Sequence, residues 1–409
     1  MQGAAYAAVT AAYWAFMLTD GALRMLVLLH FNDLGFSPIT LAWLFLLYEV
    51  MGVVTNLYAG WIAARFGLAS TLYGGLALQV VALAALSRLD PGWAMALSVP
   101  FVMAVQGLSG VAKDLAKMSA KSAVKLLVPE GEGALFRWVA ALTGSKNAIK
   151  GIGFALGATL LALFGFRASV LAMAVGLALI LLAVALFMPR GLPAGRKGAK
   201  FREVFSKDPA INRLSAARLF LFGARDVWFV VGIPIYFEAV LSDGTQAGAR
   251  AAFFMVGGFM AAWIVLYGAV QAGAPRILRA ASRGLPEIAG LARRWAGGLS
   301  LIPAALALAA FAAGAPQLWL TLTLAAGLLV FGFVFAVNSS LHSYLILALS
   351  RGDRVTMDVG FYYMANAAGR LVGTLLSGIS YQLGGLPLCL ATAAALAVAS
   401  WRLAARLTP

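Results

Sequence analysis

The sequence predicts an all-α integral membrane fold, with twelve transmembrane helices arranged as two six-helix bundles. Three observations carry that expectation. Of 409 residues, 62% are apolar and only 11% are charged, whereas a soluble chain is about a quarter charged. Apolar windows recur twelve times, and one polar stretch divides them six and six. Basic residues collect in alternate connections, as they do on the cytoplasmic side of membrane proteins.

The first span, 8–31, contains Asp20 and Arg24. No signal-peptide core holds such charges, so the segment reads as a retained span. Spans follow at 39–63, 68–88, 95–119, 136–163 and 167–188. A basic linker over 191–211 separates a bundle formed by 1–190 from a second formed by 212–409. The second bundle comprises 213–240, 252–274, 297–314, 317–346, 358–382 and 386–406. Each window approaches the ~20 residues that a 30 Å hydrocarbon core requires. The 44 glycines suit closely approaching helix backbones, which replace a hydrophobic driving force inside lipid.

Loop charge orients the chain. With both termini cytoplasmic, the inner side holds Arg65, five basic residues from Lys113 to Arg137, and seven from Arg190 to Arg213. Five more lie between Arg276 and Arg294, with Arg351, Arg354, Arg402 and Arg406 beyond. The opposite side holds only Arg88, Arg167 and Arg250. The net charge of +16 is therefore a topology signal, and nucleic acid is not expected as a partner. The expected location is a bacterial inner membrane, crossed many times.

Several chemistries are excluded. One cysteine, Cys389, forbids an internal disulfide, and with two histidines the usual structural zinc sites lack ligands. No cofactor is expected. His30 and His342 are isolated and read as interfacial or helix-packing residues. No Ser-His-Asp set or phosphate loop is present, so the chain does not read as an enzyme. Trp14, Trp61, Trp93 and Trp319 sit near span ends as interfacial residues. A monomer in the lipid bilayer is expected.

Ionisable residues within the spans carry the functional reading. A charge at the bilayer centre costs about 2.5–3.5 kcal/mol even on the lenient insertion scale, so it faces a partner or a watery cavity. Arg24, Lys146, Lys150, Arg218, Arg225 and Arg370 lie within spans, against Asp20, Glu49 and Asp226. Six bases against three acids call for an anion. Lys146 and Lys150 share one helix face and repel unless an anion sits between them. Asn147 lies on the adjoining face. Arginine forks suit two oxygens of a phosphate or carboxylate, whereas lysine is a movable point charge.

Each group also has a plainer reading. Asp20 and Arg24 stand four apart and can neutralise one another. Arg225 and Asp226 point about 100° apart, which disfavours self-pairing. Arg218 lies about 12 Å along the helix from Asp226 and is placed near the inner surface, outside the site. Lys113, Lys117, Lys121 and Lys125 form a stripe of period four, read as a solvated inner face from which Lys113 reaches the cavity. Glu49 is either neutralised by an arginine of another span or carries a proton.

The halves also repeat. Asp20 precedes Phe31 by the same interval as Asp226 precedes Phe237, and Asn147-Ala148 is matched by Asn366-Ala367. Between spans two and three, Gly60, Arg65 and Gly67 match the Gly-x-x-x-Asp-Arg-x-Gly motif of the major facilitator superfamily, with Ala64 at the Asp position. Gln106 and Gly107 match its span-four motif, with Met103 in place of Arg. The whole layout resembles that superfamily. The stretches Tyr13-Trp14-Ala15-Phe16, Leu18 to Met25, Gly144-Ser145-Lys146-Asn147 and Leu219 to Trp228 resemble, more narrowly, the organoarsenical efflux permeases of bacterial arsenate-resistance operons.

The resemblance implies export of 1-arseno-3-phosphoglycerate, formed when glyceraldehyde-3-phosphate dehydrogenase uses arsenate in place of phosphate. Proton antiport is an expectation drawn from the three intramembrane acids, with Glu49 as the group that alternates between protonated and ionised states. A substrate-binding set of Arg24, Lys113, Lys146, Asn147, Lys150, Arg225, Asn366 and Arg370 is expected. Asp20, Glu49 and Asp226 are expected to couple protons or pair charges. Two other readings remain: a facilitator exporting other organic anions or drugs, and a membrane enzyme acting on lipid phosphate.

Overall fold

The computed structural model describes residues 2–36, 38–90, 92–127, 133–188, 192, 195–196 and 198–407. Among the described residues every regular element is helical. In chain order these are α1 (Gln2–Asp33), α2 (Pro38–Phe66), α3 (Leu68–Leu86), α4 (Met95–Leu127) and α5 (Ala134–Phe187). They are followed by α6 (Pro209–Val227), α7 (Ile233–Leu241), α8 (Gln246–Ile277), α9 (Leu285–Ala313), α10 (Leu318–Leu349) and α11 (Val355–Ala404).

Among the described residues, ten helical stretches are long and apolar enough to cross a membrane, α6 and α7 counting as one across the π-helical turn Trp228–Gly232. Two of the ten are too long for a single crossing. α5 has 54 residues, about 80 Å at 1.5 Å per residue, against a core of about 30 Å. It breaks at Gly165, whose φ of 72° and ψ of 177° lie outside the helical region and suit glycine. α11 breaks likewise at Gly384 and Gly385, the latter at φ 60°. The ten stretches therefore hold twelve bilayer-length segments, and the all-α membrane fold stands.

Two boundaries differ most from expectation. α4 runs on to Leu127, so Lys113, Lys117, Lys121 and Lys125 are helical. α9 starts at Leu285, twelve residues before the apolar window, with Pro286 in its first turn. The window located the apolar stretch, but polar helical turns continue past it.

The chain forms two compact units, Met1–Ser206 with Ser350–Met364, and Lys207–Leu349 with Ala365–Pro409. In the first, α1 and α5 pack backbone to backbone. A Cβ on Gly153 would lie 2.5 Å from the Leu18 carbonyl oxygen, and Gly21 and Gly157 meet backbone of the partner helix equally closely. In the second, Trp228, Trp263, Phe331 and Phe335 centre a buried aromatic core. Outward surfaces are apolar: Phe187 and Phe311 are each 78% exposed, as lipid-facing side chains are. Polar groups lie within.

Part of the expected linker, 191, 193–194 and 197, together with Arg190, lies outside the described residues. Residues 196 and 198–204 pack on the first unit. Arg196 donates its backbone N–H to the Ala64 carbonyl at 2.7 Å, and Trp61 Nε1 donates to the Ala199 carbonyl. Phe201 stacks on Tyr58, and Val204 and Met357 are buried beside Leu57 and Trp61. The Arg196 guanidinium reaches both Glu203 and Asp353, at 2.7 and 3.8 Å.

Candidate functional site

The first unit gathers charged side chains from α1, α2, α4 and α5. Asp20 is 3% exposed and accepts from Lys150 Nζ at 2.6 Å and from the Tyr48 hydroxyl at 2.7 Å. The glycine contact between α1 and α5 brings these residues together. Arg24, one turn further along α1, pairs with Glu49 of α2 at 3.3 Å. The i,i+4 pairing of Asp20 with Arg24 is thus replaced by two pairings across helices. Glu49 takes the first of its two expected roles, neutralisation by an arginine of another span.

Tyr48 is the hub of this cluster, and nothing in the sequence marked it. Its ring lies 3.9 Å from Lys113 Nζ, 5.2 Å from the Arg24 guanidinium and 6.0 Å from Lys150 Nζ. Cation–π contacts of this kind contribute from about 0.5 kcal/mol to about 2 when desolvated. Phe45 lies under Arg24 as well, at 5.0 Å.

The lysine stripe of α4 is not a solvated face. Lys121 is 3% exposed and donates to Thr143 of α5. Lys117 pairs with Asp114 at 2.5 Å and lies over the Tyr363 ring. Asp114, an acid that counting span charges omitted, is buried and also accepts from Asn56 Nδ2 at 3.2 Å. The stripe was misread because period four marks one face of a helix without saying what that face meets.

Lys146 completes the set. It has no hydrogen-bond acceptor or carboxylate among the described residues, and Lys121, Lys150, Lys117 and Lys113 all oppose its charge. Lys113 has its aromatic contact but, among the described residues, no carboxylate within ion-pair distance. Asn147 is buried beside Lys146 on α5. Six bases, Arg24, Lys113, Lys117, Lys121, Lys146 and Lys150, thus share three acids, Asp20, Glu49 and Asp114.

The second unit carries its own set on α6, α10 and α11. Asp226, 2% exposed, accepts from Arg225 at 2.5 Å and from Arg370 Nε at 3.3 Å. Arg225 and Asp226 do pair, contrary to the 100° argument, because a long guanidinium folds back over one residue. They end α6 immediately before the π-helical turn, a local widening that recurs at functional sites. The Arg225 guanidinium lies over Phe222 at 4.8 Å.

Arg218 belongs to this interior rather than to the inner surface. It is 3% exposed, donating from Nε to Asn366 at 2.8 Å and from Nη1 to the Ser339 hydroxyl at 2.9 Å. Tyr267 and Gln271 of α8 donate to the same hydroxyl. The distance along α6 was right, but the polar side of α10 that receives Arg218 could not be seen from α6 alone. Among the described residues no three His, Cys, Asp or Glu side chains are placed to hold a metal ion.

Comparison with known proteins agrees with this architecture. The family model of the Major Facilitator Superfamily matches residues 9–286. No curated protein matches the sequence. A bacterial homologue of the iron transporter ferroportin, in an outward-facing state, superposes with a TM-score of 0.70 at 14% identity, over 98% of this chain and 99% of its own. A proton:xylose symporter gives 0.73 at 11% identity, over 100% and 96%. The E. coli fucose:proton symporter gives 0.68 at 13%, over 99% and 98%.

Proposed function

The chain belongs to the Major Facilitator Superfamily, a membrane transporter family, and from that premise we propose that it exports a multivalent organic anion, 1-arseno-3-phosphoglycerate. The observation that carries the reading is the surplus of interior cations in each unit. Lys113 and Lys146 have no carboxylate in the first, and Asp226 is shared by two arginines in the second. Buried charge of one sign is held only where a counter-charge completes it.

Lysines suit a phosphoryl group approached from several directions, and arginine forks suit a planar pair of oxygens. We assign the first role to Lys113, Lys146 and Lys150 with Arg24 and Asn147, and the second to Arg225 and Arg370 with Asn366. Asp20, Glu49 and Asp226 hold those cations in place. The narrower identity rests on the likeness of the stretches around Asp20, Lys146 and Arg225 to organoarsenical permeases. Glyceraldehyde-3-phosphate dehydrogenase is then the source of the substrate, and the termini lie in the cytoplasm of a bacterial cell.

Everted vesicles supplied with arsenate, glyceraldehyde 3-phosphate, NAD and the dehydrogenase should accumulate arsenic in a transporter-dependent way. Arsenate alone should not accumulate. Equal accumulation in both would overturn the substrate. Uptake of 3-phosphoglycerate without arsenate, at the same rate, would favour a general organic-anion exporter.

A further inference from the structure

α10 carries a run of buried polar residues, Asn338, Ser339, Ser340, His342 and Ser343, within an otherwise apolar helix. Ser339 and Ser340 are bonded to α6 and α8. Asn338 and His342 are not. Both are 0% exposed, and both amide atoms of Asn338 and both ring nitrogens of His342 lack a hydrogen-bond partner. The Ser343 hydroxyl, and Ser215 on α6, are in the same position. Asn338 and His342 stand four apart, on one helix face. Unpartnered polar groups are costly in a protein interior and more so within lipid. An apolar residue would pack there without that cost, so packing does not explain them.

Elsewhere the carboxylates of the two charge clusters are committed. Asp20 is held by Lys150 and Tyr48, Glu49 by Arg24, Asp114 by Lys117, and Asp226 by Arg225 and Arg370. A carboxylate gripped by a cation favours its charged form. Imidazole is the side chain that changes charge between about pH 5 and 8. From α6, Arg218 is the charged group whose field reaches His342. Tyr267 and Gln271 on α8 bond to Ser339, and Arg293 and Arg294 on α9 are exposed. An imidazolium in this arrangement would face a guanidinium and, among the described residues, no carboxylate within ion-pair distance.

We propose that His342 is the proton-binding residue of the transport cycle. When its face of α10 meets water, one ring nitrogen takes a proton, with the Asn338 amide oxygen as the nearby acceptor. The same proton leaves to water at the other membrane surface, and the ring returns neutral to the arrangement described above. The proposal needs a transporter, not the arsenical substrate.

The chain has two histidines, so carbon-13 labelling of imidazole in nanodisc-embedded protein gives two lines. His342→Gln assigns one of them, and His30→Gln assigns it by elimination where the first variant does not fold. The His342 line should move with pH between about 5 and 8. A line fixed over that range, while His30 titrates, overturns the proposal whatever the substrate. In the vesicle assay, transport by the wild type should vary with pH, up to about tenfold per unit for one proton. His342→Gln should flatten that profile. An unaltered profile in a folded His342→Gln variant would overturn the coupling role even if the line titrates.

Discussion

Lys150 on α5 donates to Asp20 on α1 at 2.6 Å, in the stretch where the two helices touch backbone to backbone. Asp20 is buried and Lys150 largely so, and neither tolerates loss of the other. Asp20→Asn should destabilise the protein by about 3–5 kcal/mol, since it strands a buried ammonium. Asp20→Asn combined with Lys150→Met should recover much of that loss. Thermal unfolding in detergent measures both, and additive losses would mean that the two residues do not act as a pair.

The helix contact itself is testable at glycine. Gly153→Ala pushes a methyl against the Leu18 carbonyl and should cost about 1–3 kcal/mol. Gly176→Ala meets nothing within 4 Å and should instead stabilise the helix, by about 0.5–1 kcal/mol. Equal melting temperatures for the two variants would contradict the packing.

Tyr48 has two separable contributions. Tyr48→Phe keeps the ring beneath Lys113 and Arg24 but removes the bond to Asp20, a charge-assisted interaction of about 1.5–3 kcal/mol. Tyr48→Leu removes both. Transport should fall in the order wild type, Phe, Leu, and a Leu variant as active as Phe would reduce the ring to packing.

Arg225→Lys keeps the positive charge but loses the fork that grips Asp226 while lying over Phe222. Transport should drop at least tenfold, about 1.4 kcal/mol, with little change in the amount of folded protein. Undiminished transport would leave Arg225 a structural role only.

A reporter fused after Pro409 should be active on the cytoplasmic side alone, as the asymmetry of basic residues requires. Periplasmic activity would invert the whole topology.

Hydropathy windows and loop charge were enough to find the spans, because a bilayer demands long apolar helices whatever else the chain does. Charges in the spans likewise pointed to Asp20, Arg24, Lys150, Arg225, Asp226 and Arg370. What the sequence hid was partnership. Asp20 has Arg24 one turn away on its own helix yet pairs with Lys150, more than a hundred residues on, because glycines let α1 and α5 approach. Arg218 is set at the inner surface by its distance along α6, because its partners, Asn366 and Ser339, lie on other helices. Asp114 pairs with Lys117 of its own helix, but Asn56, which also donates to it, lies on α2. His342 was legible as a residue, but its lack of partners belongs to three dimensions.

The breaks at Gly165 and at Gly384–Gly385 have a practical consequence. If both segments of α5 and of α11 cross the bilayer, the chain reverses there within one or two residues. Antibody fragments and proteases need a run of exposed, extended peptide, and each tip offers only a few exposed residues, such as Leu163 and Phe164 or Leu383. Inserting a tag at Gly165 would also remove the residue whose φ of 72° makes the reversal. The stretches 87–90 and 242–245, which lie outside the helices, are the better places to graft a handle for electron microscopy.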